Sequence, residues 1–299
     1  MKQFAGFANR MGSLLLLMTA VAALDAQQVA DTNFRPPIDN PAYSVGKGPV
    51  VLIDEAHSNF HTATGRYLPF AELLRRDGYV VQASAERFTA EVLETGRVLV
   101  ISNAMNEKNR EDPNAPPLSA FTAQELAAVR DWVAGGGSLL LIADHPPWSG
   151  AAEDLGKAFG VLFRNGAAKN PKDQGGRLVF RRSDGTLIDH PVTKGIDEVA
   201  TFTGSSFQVD TPGQPLLVFG PEIYSFTLQD DPNPAPIKGH LQGAVLPFGK
   251  GRVAVFGEAA MFSAQLSGPT NNPMGMNAAI AKQNPQFLLN VMHWLTGLL

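Results

Sequence analysis

The chain has 299 residues, of which 44% are hydrophobic and 17% are charged, and its formal net charge at pH 7 is -4. This length and composition are typical of one or two folded domains and exclude a globally disordered chain. The sequence contains no run of basic residues, so we expect no nucleic-acid partner. It also contains no cysteine, which excludes disulfide bonds, cysteine nucleophiles and thiolate metal sites.

The first 26 residues have the layout of a secretory signal peptide. Lys2 and Arg10 precede an apolar run over residues 11–24, and small residues then lead to Ala26. The run is short for a bilayer span, so we expect cleavage and no stable membrane span afterwards; an uncleaved anchor is the alternative. The sequence therefore predicts a periplasmic or secreted protein.

After the signal, the polar, proline-containing segment 27–48 is interpreted as a linker, and residues 49–299 as one domain. Short apolar runs predict four strands, at residues 48–54, 79–81, 97–102 and 138–143. Helical spacing of apolar residues predicts four helices, at residues 67–76, 122–135, 153–159 and 285–298. Thr122 and Glu125 form a capping box for the second of these helices, and residues 106–119 are predicted to be a loop.

This alternation of strands and helices predicts an α/β fold with a parallel sheet covered by helices on both faces. Residues 175–247 are rich in glycine and proline and predict an insertion or an antiparallel extension of the sheet. Residues 242–248 and 252–257, separated by a short glycine-containing turn, predict a hairpin.

Titratable side chains follow several of the predicted strands. Because the carboxyl ends of parallel strands meet at one edge of a sheet, we expect these side chains to surround one cleft. The candidates are Asp54, Glu55, His57, His61, Asp144, His145 and Glu258.

Imidazole nitrogens and carboxylate oxygens suit a divalent metal such as Zn, Mn or Fe. The candidate metal ligands are Asp54, His57, His61 and Asp144. The candidate catalytic groups are Glu55, His145 and Glu258, for general acid–base chemistry. The alternative for each histidine is a hydrogen-bonded loop or capping residue. Asp144 and Glu258 are equally compatible with capping the turns that follow them.

Four segments occur in a familiar order: Asp54-Glu55-Ala56-His57 after a strand, then residues 135–141, 190–195 and 249–253. Together they resemble the class I glutamine amidotransferase-like superfamily, in particular its DUF4350-type and trehalose-utilisation (ThuA-like) members, over residues 49–298. The resemblance implies a flavodoxin-like α/β sandwich. The amidotransferases of that superfamily use a cysteine on a strand–helix elbow. This chain lacks it and has His145 in that neighbourhood, so amidotransferase and cysteine peptidase activities do not carry over.

These observations leave two main functions open. The first is an exported hydrolase, with or without a divalent metal as cofactor, that uses the histidine and carboxylate residues as its site. The second is a non-catalytic binding domain, for a small-molecule or glycan ligand, on a degenerate amidotransferase-like fold. A purely structural role is a third hypothesis, but it leaves the titratable side chains at the strand ends unexplained.

Overall fold

The computed structural model describes residues 28–112, 115–173, 176–210, 213–227 and 231–299. The predicted signal peptide, residues 1–26, lies outside the described residues. None of the helices in the described ranges has the length and apolar character needed to cross a bilayer.

Seven α-helices occur in the described part of the chain. In chain order they are α1 (Leu68–Arg76), α2 (Ala90–Glu94), α3 (Glu107–Glu111), α4 (Ala123–Gly135), α5 (Trp148–Ala151), α6 (Glu153–Ala158) and α7 (Asn284–Thr296). The four predicted helices correspond to α1, α4, α6 and α7. The capping box predicted for α4 is confirmed, because Thr122 Oγ1 accepts the Glu125 N–H and the Glu125 carboxylate accepts the Thr122 N–H.

The strands fall into one large sheet and three small ones. In chain order they are β1 (Val29–Ala30), β2 (Val50–Asp54), β3 (Val80–Ser84), β4 (Val98–Ser102), β5 (Ser138–Ile142), β6 (Val161–Arg164), β7 (Ala167–Lys169), β8 (Leu178–Arg181), β9 (Glu198–Thr201), β10 (Ser206–Val209), β11 (Gln214–Val218), β12 (Tyr224–Phe226), β13 (Ala235–Pro236), β14 (Leu241–Phe248), β15 (Gly251–Phe256), β16 (Ala264–Ser267) and β17 (Asn272–Gly275).

The nine-stranded sheet contains a parallel half in the order β3-β2-β4-β5-β15. Numbered along the chain, these five strands have the order 2-1-3-4-5, which is the flavodoxin-like order. Every residue of β4 and β5 is buried, as their continuous apolar sequences require. The predicted flavodoxin-like α/β fold is confirmed.

The predicted hairpin is β14–β15, and it joins the two halves of the sheet: β15 pairs in parallel with β5, while β14 pairs antiparallel with β15, β10 and β11. Strand β6 completes the edge beside β10. Residues 175–247 thus do supply an antiparallel extension. They also contribute to two small sheets, β13-β12-β7 and β8-β9.

Alternate residues of the parallel strands enter two separate cores. Leu140 and Ile142 of β5 belong to one core, which α1 and α7 cover, for example with Phe70 and Phe287. Leu139 and Leu141 belong to the other, which α2, α4 and α6 cover. We call these the α1/α7 side and the α4 side of the sheet. This is the predicted sandwich.

Two predicted segments differ from the structure. The predicted loop 106–119 contains α3, because the Asn106 side chain caps that helix by accepting the Lys108 N–H at 3.1 Å. The predicted linker 27–48 contains β1, which pairs with β16 through Val29 and Ala30. A two-residue strand has too short a pattern to be recognised, and its partner lies more than 200 residues away.

Candidate functional site

The parallel pairing places the ends of β2, β4, β5 and β15 at one edge of the sheet. Asp54 is the last residue of β2, and Asp144 and Glu258 each follow the end of a neighbouring strand by two residues. All the sequence-predicted site residues lie on this edge or in the loop after β2. They form two clusters instead of one cleft.

The first cluster is a buried bridge of three ionisable side chains. His57 Nδ1 lies 2.9 Å from both carboxylate oxygens of Asp54, and His57 Nε2 lies 3.0 Å from Glu125 Oε1. The imidazole packs against the rings of Phe88 and Phe121, which belong to the core on the α4 side. The bridge therefore joins the end of β2 to the start of α4.

Electrostatics favour a charged imidazole in this bridge. Burial by itself lowers the pKa of His57, but the hydrogen bonds and charges of Asp54 and then Glu125 outweigh it, so the pKa is raised. Burial would raise the pKa of Glu125, whereas hydrogen bonds from Thr122 and His57 bring it to about 2. The bridge is thus a carboxylate–imidazolium–carboxylate arrangement with each polar atom of the ring bonded.

This geometry divides the predicted metal ligands. Both ring nitrogens of His57 are already bonded to carboxylates, and direct metal ligation would need a free nitrogen lone pair. Among the residues that the structure describes, no group of three histidine, aspartate or glutamate side chains is arranged to hold a metal ion. Asp54, His57, His61 and Asp144 are therefore not brought together as one ligand set.

Glu55, predicted as a general base, braces the loop that follows β2. Its Oε1 accepts the backbone N–H of Ala63 at 2.8 Å, eight residues further on. The adjacent loop is also held by Asn59, whose amide nitrogen donates to Asp54 Oδ2 at 2.9 Å. His57 and His61 both lie in residues 55–62, which form bends and irregular backbone with no helix.

The second cluster surrounds a cavity of about 110 Å³, which we call the Asp144 cavity. Three of the sequence-predicted residues line it: His61, Asp144 and His145. The other described residues of its wall are Gln28, Phe60, Asn103, Trp148, Thr203, Ala260, Gln265 and Met274.

Asp144 is held in place by short polar contacts. Its Oδ1 accepts the N–H of His145 at 2.8 Å and the hydroxyl of Thr203 at 3.3 Å. The Asp144 N–H donates to Asn103 Oδ1 at 2.9 Å. Asn103 has a φ of 50°, in the left-handed region that asparagine tolerates better than most residues. The left-handed backbone conformation at this edge therefore occurs at Asn103, after β4. It does not occur at His145, which lies after β5 where the resemblance places the strand–helix elbow.

His61 presents an unbonded nitrogen at the cavity wall. Its Nδ1 lies 3.2 Å from Ser102 Oγ, whereas its buried Nε2 has no hydrogen-bond partner among the described residues. Burial, reinforced by the charge of Arg66, lowers the pKa of His61 to about 3. His61 is therefore a neutral imidazole at ordinary pH.

Two further polar atoms of the cavity wall are buried without a partner in the described structure, Trp148 Nε1 and Gln265 Oε1. Leaving a buried donor or acceptor unpaired costs ~1–3 kcal/mol. Buried polar groups in proteins are otherwise nearly always bonded. All three of these atoms belong to residues that line one small cavity, where a ligand or an ordered water could supply the missing bonds.

Glu258 lies behind the cavity and is fully buried. Its carboxylate accepts the N–H groups of Ala260 and Met261 at 2.9 and 2.7 Å, so it caps the turn after β15, which is the alternative given by the sequence. Burial and then the charge of Asp144 raise the pKa of Glu258 well above its usual value. Burial and the neighbouring charge thus favour the protonated form of Glu258.

Sequence reasoning missed most of the cavity wall. Trp148 and Thr203 carry no pattern that points to a site. Gln28 and Gln265 come from opposite ends of the chain and meet because β1 pairs with β16. Glu125 was identified as a capping residue, but its contact with His57 spans 68 residues and no local signal could reveal it.

Comparisons with known proteins agree with this fold. An N-terminal domain described as mmIFT52 superposes with a TM-score of 0.58 at 14% identity, covering 83% of this chain and 97% of that one. Cytoplasmic protein STM1381 from Salmonella typhimurium LT2 gives a TM-score of 0.52 at 16% identity, with coverages of 82% and 98%. A ThuA-like protein from Bacteroides uniformis gives 0.49 at 16% identity, with coverages of 87% and 94%.

No family model matches the sequence, and none of the curated proteins matches it. At identities of 16% and below, the similar structures establish the fold alone. Function has to be argued from the site.

Proposed function

We propose that this chain is an exported binding protein for a small hydroxylated molecule or the end of a glycan, on an amidotransferase-like fold that has lost its nucleophile. The observation that carries the proposal is the set of three unpartnered buried atoms on residues that line the Asp144 cavity: His61 Nε2, Trp148 Nε1 and Gln265 Oε1. A hydroxylated ligand both donates and accepts hydrogen bonds, as this mixture of wall atoms demands.

The position of the cavity supports the same function. Ligands of open α/β sheets bind beyond the carboxyl ends of the parallel strands. The Asp144 cavity lies there, with aromatic walls and a few polar atoms, which is the usual composition of a ligand site. At about 110 Å³ it is smaller than a typical drug-sized pocket, so it suits a small molecule or one edge of a larger one.

A glutamine-to-methionine substitution tests the proposal. Gln265 Oε1 has no partner in the described structure, so Gln265→Met removes an unpaired acceptor while retaining length and volume. Because Gln265 Nε2 donates to Ser263 Oγ at 2.7 Å, the variant also loses that bond, so we expect the free energy of unfolding to fall by no more than the ~1 kcal/mol of one hydrogen bond, and binding of a neutral probe, glycerol, to weaken. Glycerol titrations monitored by NMR, together with urea unfolding, measure both.

Gln283→Met is the matched control, because Gln283 Oε1 accepts the N–H groups of Asp197 and Glu198 at 2.8 and 3.0 Å. We expect this variant to lose stability and to keep glycerol binding. If Gln265→Met destabilises the protein as much as Gln283→Met does, the unpaired acceptor is not a reserved ligand contact. Absence of glycerol binding to the wild type would also contradict the proposal.

A hydrolase is the second candidate, and the Asp144–Glu258 pair favours it. Glu258 is fully buried with a raised pKa, and two carboxyl groups in different environments can act as base and acid in one reaction. Hydrolysis of a panel of p-nitrophenyl esters and glycosides tests this candidate. Loss of turnover in Asp144→Asn, with unfolding unchanged, would support it, and equal turnover in wild type and variant would remove it.

Export is the part of the proposal that rests on the sequence alone. Mass spectrometry of the protein recovered from the cell envelope should show loss of about the first 23–26 residues. An intact Met1 on protein recovered from the cytoplasm would contradict export.

A further inference from the structure

The Asp144 cavity carries one type of charge on its wall. Asp144 contributes a carboxylate, and no lysine or arginine is among the described residues that line the cavity. Arg66 places its guanidinium over the Phe60 ring, 3.7 Å from the ring centre, and its NH1 donates to the Phe60 carbonyl. The Asp144 carboxylate therefore makes its part of the wall unfavourable for phosphate, sulfate or carboxylate groups, while the positive charge of Arg66 acts on His61.

The unpartnered atoms of Gln265 and His61 add hydrogen-bond acceptors to the negative charge of Asp144. Gln265 uses its amide nitrogen to donate to Ser263 Oγ at 2.7 Å, which leaves Oε1 as a free acceptor. The tautomer of His61 that donates Nδ1–H to Ser102 leaves a lone pair on Nε2. With the Asp144 carboxylate, the wall presents three acceptors, and a primary ammonium group has three N–H donors.

The aromatic residues that line the cavity also suit a ligand that carries an ammonium and a hydroxyl group. Phe60 and Trp148 lie with their ring centres 5.1 Å apart, and both line the cavity. Aromatic faces attract cations. The Trp148 indole N–H is a donor without a partner in the described structure, so it calls for an acceptor such as a hydroxyl oxygen on the same ligand.

We propose that the Asp144 cavity binds the ammonium and hydroxyl groups of a small amino alcohol, either free or as part of an amino sugar, and excludes anions. This inference rests on the proposed function and narrows it to one ligand class. Charge-assisted hydrogen bonds are about twice as strong as neutral ones. The ammonium should therefore bind about tenfold more tightly than a hydroxyl in the same position.

Three probes of nearly equal size test the inference: ethanolamine, ethylene glycol and glycolate. Each is titrated at pH 7 while the indole N–H signals of the three tryptophans are followed by ¹⁵N NMR. The Trp148→Phe spectrum identifies the Trp148 signal. We expect ethanolamine to shift it with a dissociation constant about tenfold below that of ethylene glycol, and glycolate to leave it unchanged.

Asp144→Asn keeps an oxygen for the His145 and Thr203 contacts and removes the charge. In this variant we expect ethanolamine to bind no more tightly than ethylene glycol. Asp189→Asn, which removes a charge from a side chain that is 94% exposed, is the matched control and should retain the preference. Glucosamine distinguishes the two sources of the ammonium group. Tighter binding of glucosamine than of ethanolamine indicates an amino sugar of a glycan, and weaker binding indicates a free amino alcohol.

The outcomes separate the inference from the proposed function. Equal binding of ethylene glycol and ethanolamine, or tightest binding of glycolate, would overturn the inference and leave a polar ligand site. Failure of all three probes, and of glycerol, to shift the Trp148 signal would overturn both. Retention of the ammonium preference in Asp144→Asn would show that another group supplies the charge recognition.

Discussion

The Asp54–His57–Glu125 bridge makes a quantitative prediction for His57→Gln. The substitution removes a buried imidazolium that is hydrogen-bonded at both ends, with Nδ1 at 2.9 Å from Asp54 and Nε2 at 3.0 Å from Glu125. Truncating one member of a buried ion pair costs ~3–5 kcal/mol, because the remaining charges stay buried. Asp54 retains the Asn59 amide and Glu125 retains Thr122, so we expect the lower part of that range.

The same bridge fixes how stability depends on pH. The pKa of His57 is raised in the folded protein, so its contribution is fully present below the unfolded value of about 6.5 and is lost as the pH rises through the folded value. The pKa of Glu125 is lowered to about 2, so its contribution is present above about 4.5 and is lost as the pH falls towards 2. The bridge should be strongest between about pH 4.5 and 6.5.

Urea unfolding at pH 5.5, 7 and 9 measures both effects. The gap between wild type and His57→Gln should be ~3 kcal/mol at pH 5.5 and should narrow at pH 9. His293→Gln is the matched control, because His293 Nε2 contacts only one carboxylate, Asp77 Oδ2, at 2.7 Å. A gap below ~1 kcal/mol, the value of a single ordinary hydrogen bond, would refute the charged bridge, and so would a gap that widens with pH.

The remaining predictions concern the fold that holds the site, and each is measured by thermal unfolding. Gly251→Ala should be severely destabilising, because the added Cβ would collide with the carbonyl oxygens of Gly137 and Val133, whereas Gly135→Ala should be tolerated since nothing lies within 4 Å. Ser138→Ala should cost ~1 kcal/mol by breaking the 2.7 Å bond to the Leu295 carbonyl. Asn284→Ala should cost ~3 kcal/mol or more, because the buried amide serves the N–H and carbonyl of Ala200 and the carbonyl of Met261. An unchanged melting temperature for Gly251→Ala or Asn284→Ala would contradict these structural roles.

Local sequence patterns predicted the central strands, the capping box of α4 and the β14–β15 hairpin. The apolar runs of β4 and β5 each contain four consecutive apolar residues, with serine only at one end of the strand, which favours burial between two layers. The Thr122–Glu125 box and the β14–β15 hairpin also depend on residues within a few positions of each other. These predictions are confirmed because none of them depends on a contact between residues that are far apart in the sequence.

Contacts between distant segments could not be predicted from the sequence. Strand β1 is recognisable only through its pairing with β16, and Glu125 joins the site only because α4 begins beside the loop after β2. The sequence also could not show that His57 and His61, four residues apart, would lie on opposite sides of the sheet. His57 packs on Phe88 and Phe121 of the α4 side, whereas His61 packs on Tyr67 of the α1/α7 side.

That division explains why one sequence pattern produced two different environments. Both clusters combine histidine with carboxylates at strand ends, and residue type alone cannot separate them. In the bridge, each polar atom of the His57 ring is bonded, so the charges stabilise the junction of β2 and α4. In the Asp144 cavity, the His61 Nε2 atom is buried without a partner in the described structure, so the fold carries a cost there that contributes nothing to stability. A ligand or an ordered water that supplied the missing bond would offset that cost, and this is the basis on which we propose a binding site at His61.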